Sequence, residues 1–251
     1  MEYTLETSSE TFINKIKNFL HYGNIMIDLE TLSTRTNASI ISIAAVEFGL
    51  NGDTGREMIL KIKPSEWGKY DRHIDGNTIA WWMGQDAEAV KNLFAKDGED
   101  FTLLDALSHL SDFVKECDMP IPITQEQEMT VSFMSSFRYS DVKDKKIKVW
   151  GNGSTMDITI LQSAYEYFNM QIPWQYWAVN DVRTIVDLNP EIKKNCTFEG
   201  VKHNPIDDCK HQIKYLTETI KTFNIIPKKS PSFRWGKNWD YFFFCKDTKR
   251  C

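Results

Sequence analysis

Ile25-Met26-Ile27-Asp28-Leu29-Glu30-Thr31 is the stretch from which the architecture can be read. It is an apolar run ending in two carboxylates, and in a strand residues two apart share a face. Asp28 and Glu30 therefore point together, while Leu29 turns back into the sheet. Two like charges at the end of a buried strand lose hydration and repel each other, so stability does not explain them. A divalent cation between them removes both costs. The stretch predicts a metal site at the end of a central strand, with the other ligands supplied from elsewhere in the chain.

Working outward, a polar loop over 33–38 leads to a second strand, 40–48, rich in Ile, Ala and Val. A turn at Asn51-Gly52-Asp53 leads to a third, 57–62, with period-2 alternation. Three strands joined in this way make an antiparallel meander at the edge of a larger sheet. Upstream, Phe12, Ile16, Phe19 and Leu20 form an apolar stripe that predicts a helix over 11–21, within an N-terminal extension spanning residues 1–24. Downstream, helix is expected over 77–96, capped by Asn77 or Thr78 and carrying Trp81 and Trp82, with a second segment starting near 85. Another helix is expected over 103–117.

Residues 118–146 lack a pattern and read as an inserted loop or flap. Order returns in a short strand, 147–150, ending in Gly151-Asn152-Gly153, then a helix from Thr155 or Asp157. A strand over 175–179 and a last helix over 205–223, with Pro205 in its first turn, complete the domain at about residue 226. A strand meander followed by strand–helix alternation predicts an α/β fold, a mixed central sheet flanked by helices.

A chain of 251 residues supports one sizeable core with a small appendage. No apolar run approaches the roughly 18 residues of a membrane helix, and the N-terminus lacks a signal peptide's pattern, so no membrane partner is expected. The five cysteines are scattered without a CxxC pair, which fits reduced thiols in a cytoplasm better than a disulfide frame or a zinc site. The net charge of -5 is unlike that of a protein binding nucleic acid by bulk electrostatics. A local basic patch or bound cations would have to supply the positive charge. Residues 227–251 hold such a patch, with seven Lys or Arg against two Asp over 228–250 and seven aromatic residues interleaved. That composition suits a single-stranded nucleic-acid surface, or an aromatic strap packed on the domain.

Further acidic positions complete the expected site. Asp157 lies at a strand-to-helix junction and Asp208 in the first turns of the last helix. Carboxylates from separate segments are all oxygen ligands and suit Mg²⁺ or Mn²⁺ rather than zinc. Two such ions, roughly 3.5–4 Å apart, stabilise the attacking and leaving oxygens in phosphodiester cleavage. His203, on the loop before that helix, is placed to take a proton from the attacking water. Asp207 is an alternative ligand to Asp208, and Asp181 beside Arg183 reads as a structural ion pair.

The ordered set Asp28-x-Glu30-Thr31, Asp157 and His203-x4-Asp208 resembles the DEDDh branch of the DnaQ-like 3′→5′ exonucleases, which have an RNase H-like fold. The 78–82 and 180–184 segments, with the run from His203 to Cys209, resemble in particular the group containing the T-even phage exodeoxyribonuclease A and the Rv2179c-like proteins. The resemblance covers roughly residues 25–223, and Asn152, Gly153 and Met156 stand where many relatives carry His-Asn and an aromatic. It implies that Asp28, Glu30, Asp157 and Asp208 hold the two metals, with His203 as general base. It also implies that the Thr31 backbone N–H meets the terminal 3′-OH and that Leu32 wedges beside the last base. Asn152 and one of Trp81 and Trp82 complete the expected substrate contacts. The implied substrate is the 3′ end of single-stranded or frayed DNA or RNA, released as nucleoside 5′-monophosphates in a bacterial or phage-infected cytoplasm. Two other readings stand beside it. One is a non-catalytic module on the same fold; the other keeps the nuclease and makes the tail a docking peptide for a replication or recombination protein.

Overall fold

The sheet has the strand order β3-β2-β1-β4-β5, with β1 at its centre. In the computed structural model, residues 22–87, 90–91, 100–118 and 147–223 are described. The expected N-terminal helix, nearly all of the 118–146 insertion and the basic aromatic tail lie outside the described residues, as does most of the segment after residue 87. Strands β1 (Tyr22–Thr31), β2 (Ile40–Gly49) and β3 (Thr54–Lys61) form the antiparallel meander. β4 (Lys148–Gly151) then pairs parallel to β1, and β5 (Val179–Asp181) parallel to β4. The last strand is therefore later and shorter than the 175–179 expected from sequence, because Tyr176–Ala178 forms a 3-10 turn before it.

Alternation along β1 sorts the core into two layers. Ile25, Ile27 and Leu29 face helices α2 (Leu103–Asp118) and α3 (Ser154–Tyr167), where Leu107, Leu110, Ile158 and Leu161 pack on them. α1 (Gly76–Met83) follows the β3 connection. Met26 faces the opposite layer, built from α4 (Val182–Val186), α5 (Pro190–Asn195) and α6 (Pro205–Thr222). Each fully buried Leu or Ile contributes about 1.5–3 kcal/mol, so many such residues on both faces hold the charged end of β1 in place despite its desolvation. No described helix is long and apolar enough to cross a membrane.

Caps set the helix starts. α1 begins at Gly76, one residue before the expected 77, because Asp75 rather than Asn77 or Thr78 is its cap and accepts the Asn77 N–H at 3.2 Å. α6 starts at Pro205, as expected, with the Asn204 side chain accepting the Ile206 N–H at 3.1 Å. The loops beside the charged strand end are tied to α3. Arg72 donates to Ser163 Oγ at 2.8 Å and to its carbonyl at 3.0 Å, and Ser163 Oγ reaches the Thr36 carbonyl at 2.6 Å.

Candidate active site

β4 ends at Gly151, opposite Ile27, so β1 runs on past its parallel neighbour from Asp28. A crevice opens there, outside the carboxyl ends of β1 and β4, where open α/β sheets bind ligands. Asp157 comes up beside that strand end: burial raises its carboxyl, and the Leu29 backbone N–H draws it part of the way back down. Gly151 permits that approach, since a Cβ there would sit 3.4 Å from Asp157 Oδ2 and 3.1 Å from the Ser154 backbone. Gly153, the α3 cap, has φ +105, a conformation in which a side chain would be strained.

The acidic groups converge from three elements. Asp28 and Glu30 come from β1, Asp157 from the first turn of α3 and Asp208 from the first turn of α6. Burial, then the neighbouring Asp157 and Asp208, drives the Asp28 carboxyl well above its ordinary range. Glu30 is raised in the same direction by burial and by Asp28, Asp208 and Asp157. Burial pushes Asp157 up to about 7 and Asp208 up to about 6. Ligand atoms of Glu30, His203 and Asp208 lie within 4.8 Å of one another. Among the described residues, no lysine or arginine forms an ion pair with any of the four carboxylates. Four hard oxygen donors with no ion-pair partner among the described residues, offset only by the more distant Arg183 and Lys202, fit a divalent cation of the Mg²⁺ or Mn²⁺ kind.

His203 has φ +65, an uncommon left-handed backbone for a non-glycine residue. Burial raises the Asp208 carboxyl, and the backbone N–H of His203 draws it part of the way back down. Burial and the adjacent Lys202 hold the His203 imidazole below the usual value. Trp81 and Trp82 meet the His203 ring edge-on, at centroid distances of 5.2 and 5.6 Å. Trp82 is only 2% exposed and donates its indole N–H to the Thr31 carbonyl at 3.0 Å, whereas Trp81 is 49% exposed. A cleft of about 410 Å³ opens beside them, lined among others by Glu30, Thr31, Thr78, Trp81, Trp82 and Met156.

A model of the 3′-5′ exoribonuclease Rv2179c-like domain matches residues 23–220. The chain belongs to that family. The family makes it a 3′-5′ exonuclease, as the motif order implied. An exodeoxyribonuclease of Enterobacteria phage T4 is 23% identical over 227 residues, covering 79% of this chain and 89% of the relative. Among solved structures, a full-length 3′-exonuclease overlays with a TM-score of 0.51 at 12% identity, covering 81% of this chain and 84% of that one. The nuclease domain of 3′hExo, a DEDDh family member, bound to rAMP, gives 0.48 at 12% identity, with coverage of 80% and 93%. The fold is RNase H-like.

Asp28, Glu30, Asp157, Asp208 and His203 are thus brought together, and Thr31, Trp81 and Trp82 line the cleft beside them. Leu32 is not. It is 3% exposed and packs with Ile41 and Trp82, because both its backbone groups are bound, N–H to the Ser39 carbonyl and C=O to the Asp75 N–H. Asn152 does not line the cleft either, and its Oδ1 is buried without a donor among the described residues. Asp207 turns away to accept the Val201 N–H at 2.9 Å, which leaves Asp208 as the inward carboxylate. Asp181 is structural, through backbone rather than Arg183: it accepts the N–H groups of Ser154 at 2.6 Å and Thr184 at 2.9 Å. Sequence reading missed Gln212, which donates to Asp28 Oδ1 at 2.8 Å. Its position four residues after Asp208, on the same helix face, is the signal that could have found it.

Proposed function

We propose that the protein removes nucleotides singly from the 3′ end of single-stranded or frayed nucleic acid. Asp28, Glu30, Asp157 and Asp208 would hold two Mg²⁺ or Mn²⁺ ions. The observation that carries this reading is the convergence of four carboxylates, none of them in an ion pair among the described residues, with His203 beside an aromatic-walled cleft. When bound, such ions stabilise negative charge on the attacking and leaving oxygens of a phosphodiester.

The chain's own groups do the remaining work. His203 takes the proton of the attacking water, its ring held in place by the two indoles packed against it. Thr31 would meet the 3′-OH through its backbone N–H, and Trp82 fixes that residue by binding its carbonyl. Trp81, half-exposed on the cleft wall, offers a face on which the terminal base stacks. Leu32 supports the cleft from behind instead of touching the base. An unpaired end enters such a cleft without the cost of opening a duplex.

A gel time course on matched 5′-labelled single-stranded DNA and RNA tests this, with Mg²⁺, Mn²⁺ or EDTA and with Asp28→Ala alongside. The expected result is a ladder shortening by one nucleotide from the 3′ end, lost with EDTA and in the variant. The faster substrate assigns the sugar preference. Intact oligonucleotides under every metal condition would overturn the proposal in favour of a binding module on this fold.

A further inference from the structure

Gln212 is 5% exposed, and its Nε2 donates to Asp28 Oδ1 at 2.8 Å. No protein donor reaches its Oε1 among the described residues. An amide in this position is a poor choice for packing alone. Its neighbours on the inner face of α6 are Cys209, Ile213 and Leu216, all apolar and buried. An apolar side chain of similar size would extend that layer and leave no unmatched acceptor. Among the described residues, the one hydrogen bond of the Gln212 side chain is to the first carboxylate of the cluster.

We infer that Gln212 is a positioning residue for the cation site, holding the Asp28 carboxylate in the orientation that receives a divalent ion. The inference rests on the metal-dependent reading above. The amide suits the task because it is neutral. A lysine or arginine here would supply the missing positive charge itself and compete with the cation. An amide N–H occupies one lone-pair direction of Oδ1 and leaves the carboxylate's charge and its second oxygen available. The helix sets the geometry: Asp208 and Gln212 lie one turn apart on α6, so the element that carries one ligand also orients another. Partners that orient metal ligands typically change metal affinity 10–100-fold when removed.

The test is Mn²⁺ titration of the full-length chain by calorimetry, comparing wild type, Gln212→Leu and Gln212→Met, with thermal unfolding of the metal-free proteins as a fold check. Mn²⁺ affinity is expected to fall about 10–100-fold in both variants, with no loss of metal-free Tm. In an Asp28→Asn background, Gln212→Leu should cause no further loss, since the residue it positions is already altered. The same affinity in wild type and in a folded variant, within twofold, would overturn the inference and leave the metal-dependent reading standing. A wild-type chain that binds no Mn²⁺ would overturn both. If the Leu variant does not fold, the flexible Met variant, closest in shape to Gln, decides.

Discussion

At the scale of single residues, His203 and Asp28 separate chemistry from stability. His203 stands on a left-handed backbone, with its imidazole packed edge-to-face against the Trp81–Trp82 pair. His203→Ala is expected to lower kcat by roughly 10²–10⁴, the usual span for a lost general base, with Mn²⁺ affinity falling far less, as single-turnover assays and calorimetry would show. Asp28 is a net burden on the metal-free fold, since burial and two neighbouring carboxylates oppose its charge. Asp28→Asn should abolish cleavage while the metal-free protein melts at the same or a higher temperature; a lower Tm would show that its charge is held by something other than a cation. Trp81→Ala removes only the exposed indole, and base stacking is worth about 1–3 kcal/mol. KM should rise about 5–150-fold with a smaller change in kcat. The charged residues were legible in the sequence because two carboxylates on a buried strand need an explanation. Gln212 carries no charge and raised no such question, and Leu32 was misplaced because the binding of both its backbone groups is a tertiary fact.

At the scale of elements, one carboxylate sets the angle between two helices at the rim of the site. Asp181 ends β5 and accepts N–H groups from the starts of both α3 and α4, at 2.6 and 2.9 Å. Burial pulls its carboxyl upward, but the N–H groups of Thr184 and Ser154 outweigh it and hold it below the ordinary value. A lowered folded pKa gives stability that is fully present above the unfolded value and is lost as pH falls through the folded one. Caps of this kind contribute about 1 kcal/mol each. Asp181→Ala should therefore cost roughly 2 kcal/mol at neutral pH, with a smaller difference from wild type below about pH 4, measured by denaturant unfolding at several pH values. A constant difference across that range would assign the loss to packing. The antiparallel meander was readable from alternation and the Asn51-Gly52-Asp53 turn, because register there is local. β5 was not, since three residues carry no periodicity and their pairing depends on β4. The cap of α1 was placed two or three residues late, at Asn77 or Thr78, because Gly76 concealed a helix start after Asp75.

At the scale of the whole molecule, the charge balance is the unusual feature. A chain of net charge -5 acts on a polyanion, and residues 228–250 hold seven Lys or Arg against two Asp, so the remainder is more acidic than the total. Cations at the four carboxylates would supply positive charge where the bond is cut, but they would not draw in the length of strand behind it. We propose that the tail does so, with its interleaved aromatic residues stacking on bases and its basic residues meeting phosphates. Each phosphate contact contributes about 0.7 to the slope of log affinity against log salt for a single strand. Removing residues 228–251 should weaken binding of a single-stranded 20-mer to the Asp28→Asn protein and flatten that slope by roughly 2–4, while the same deletion in the chain that keeps Asp28 leaves cleavage of a dinucleotide, too short to reach beyond the cleft, near wild type. An unchanged slope with intact dinucleotide cleavage would assign the tail to a partner protein. Loss of both activities would make it a strap on the domain, and in either case the substrate would be recruited by the cation site and the cleft alone.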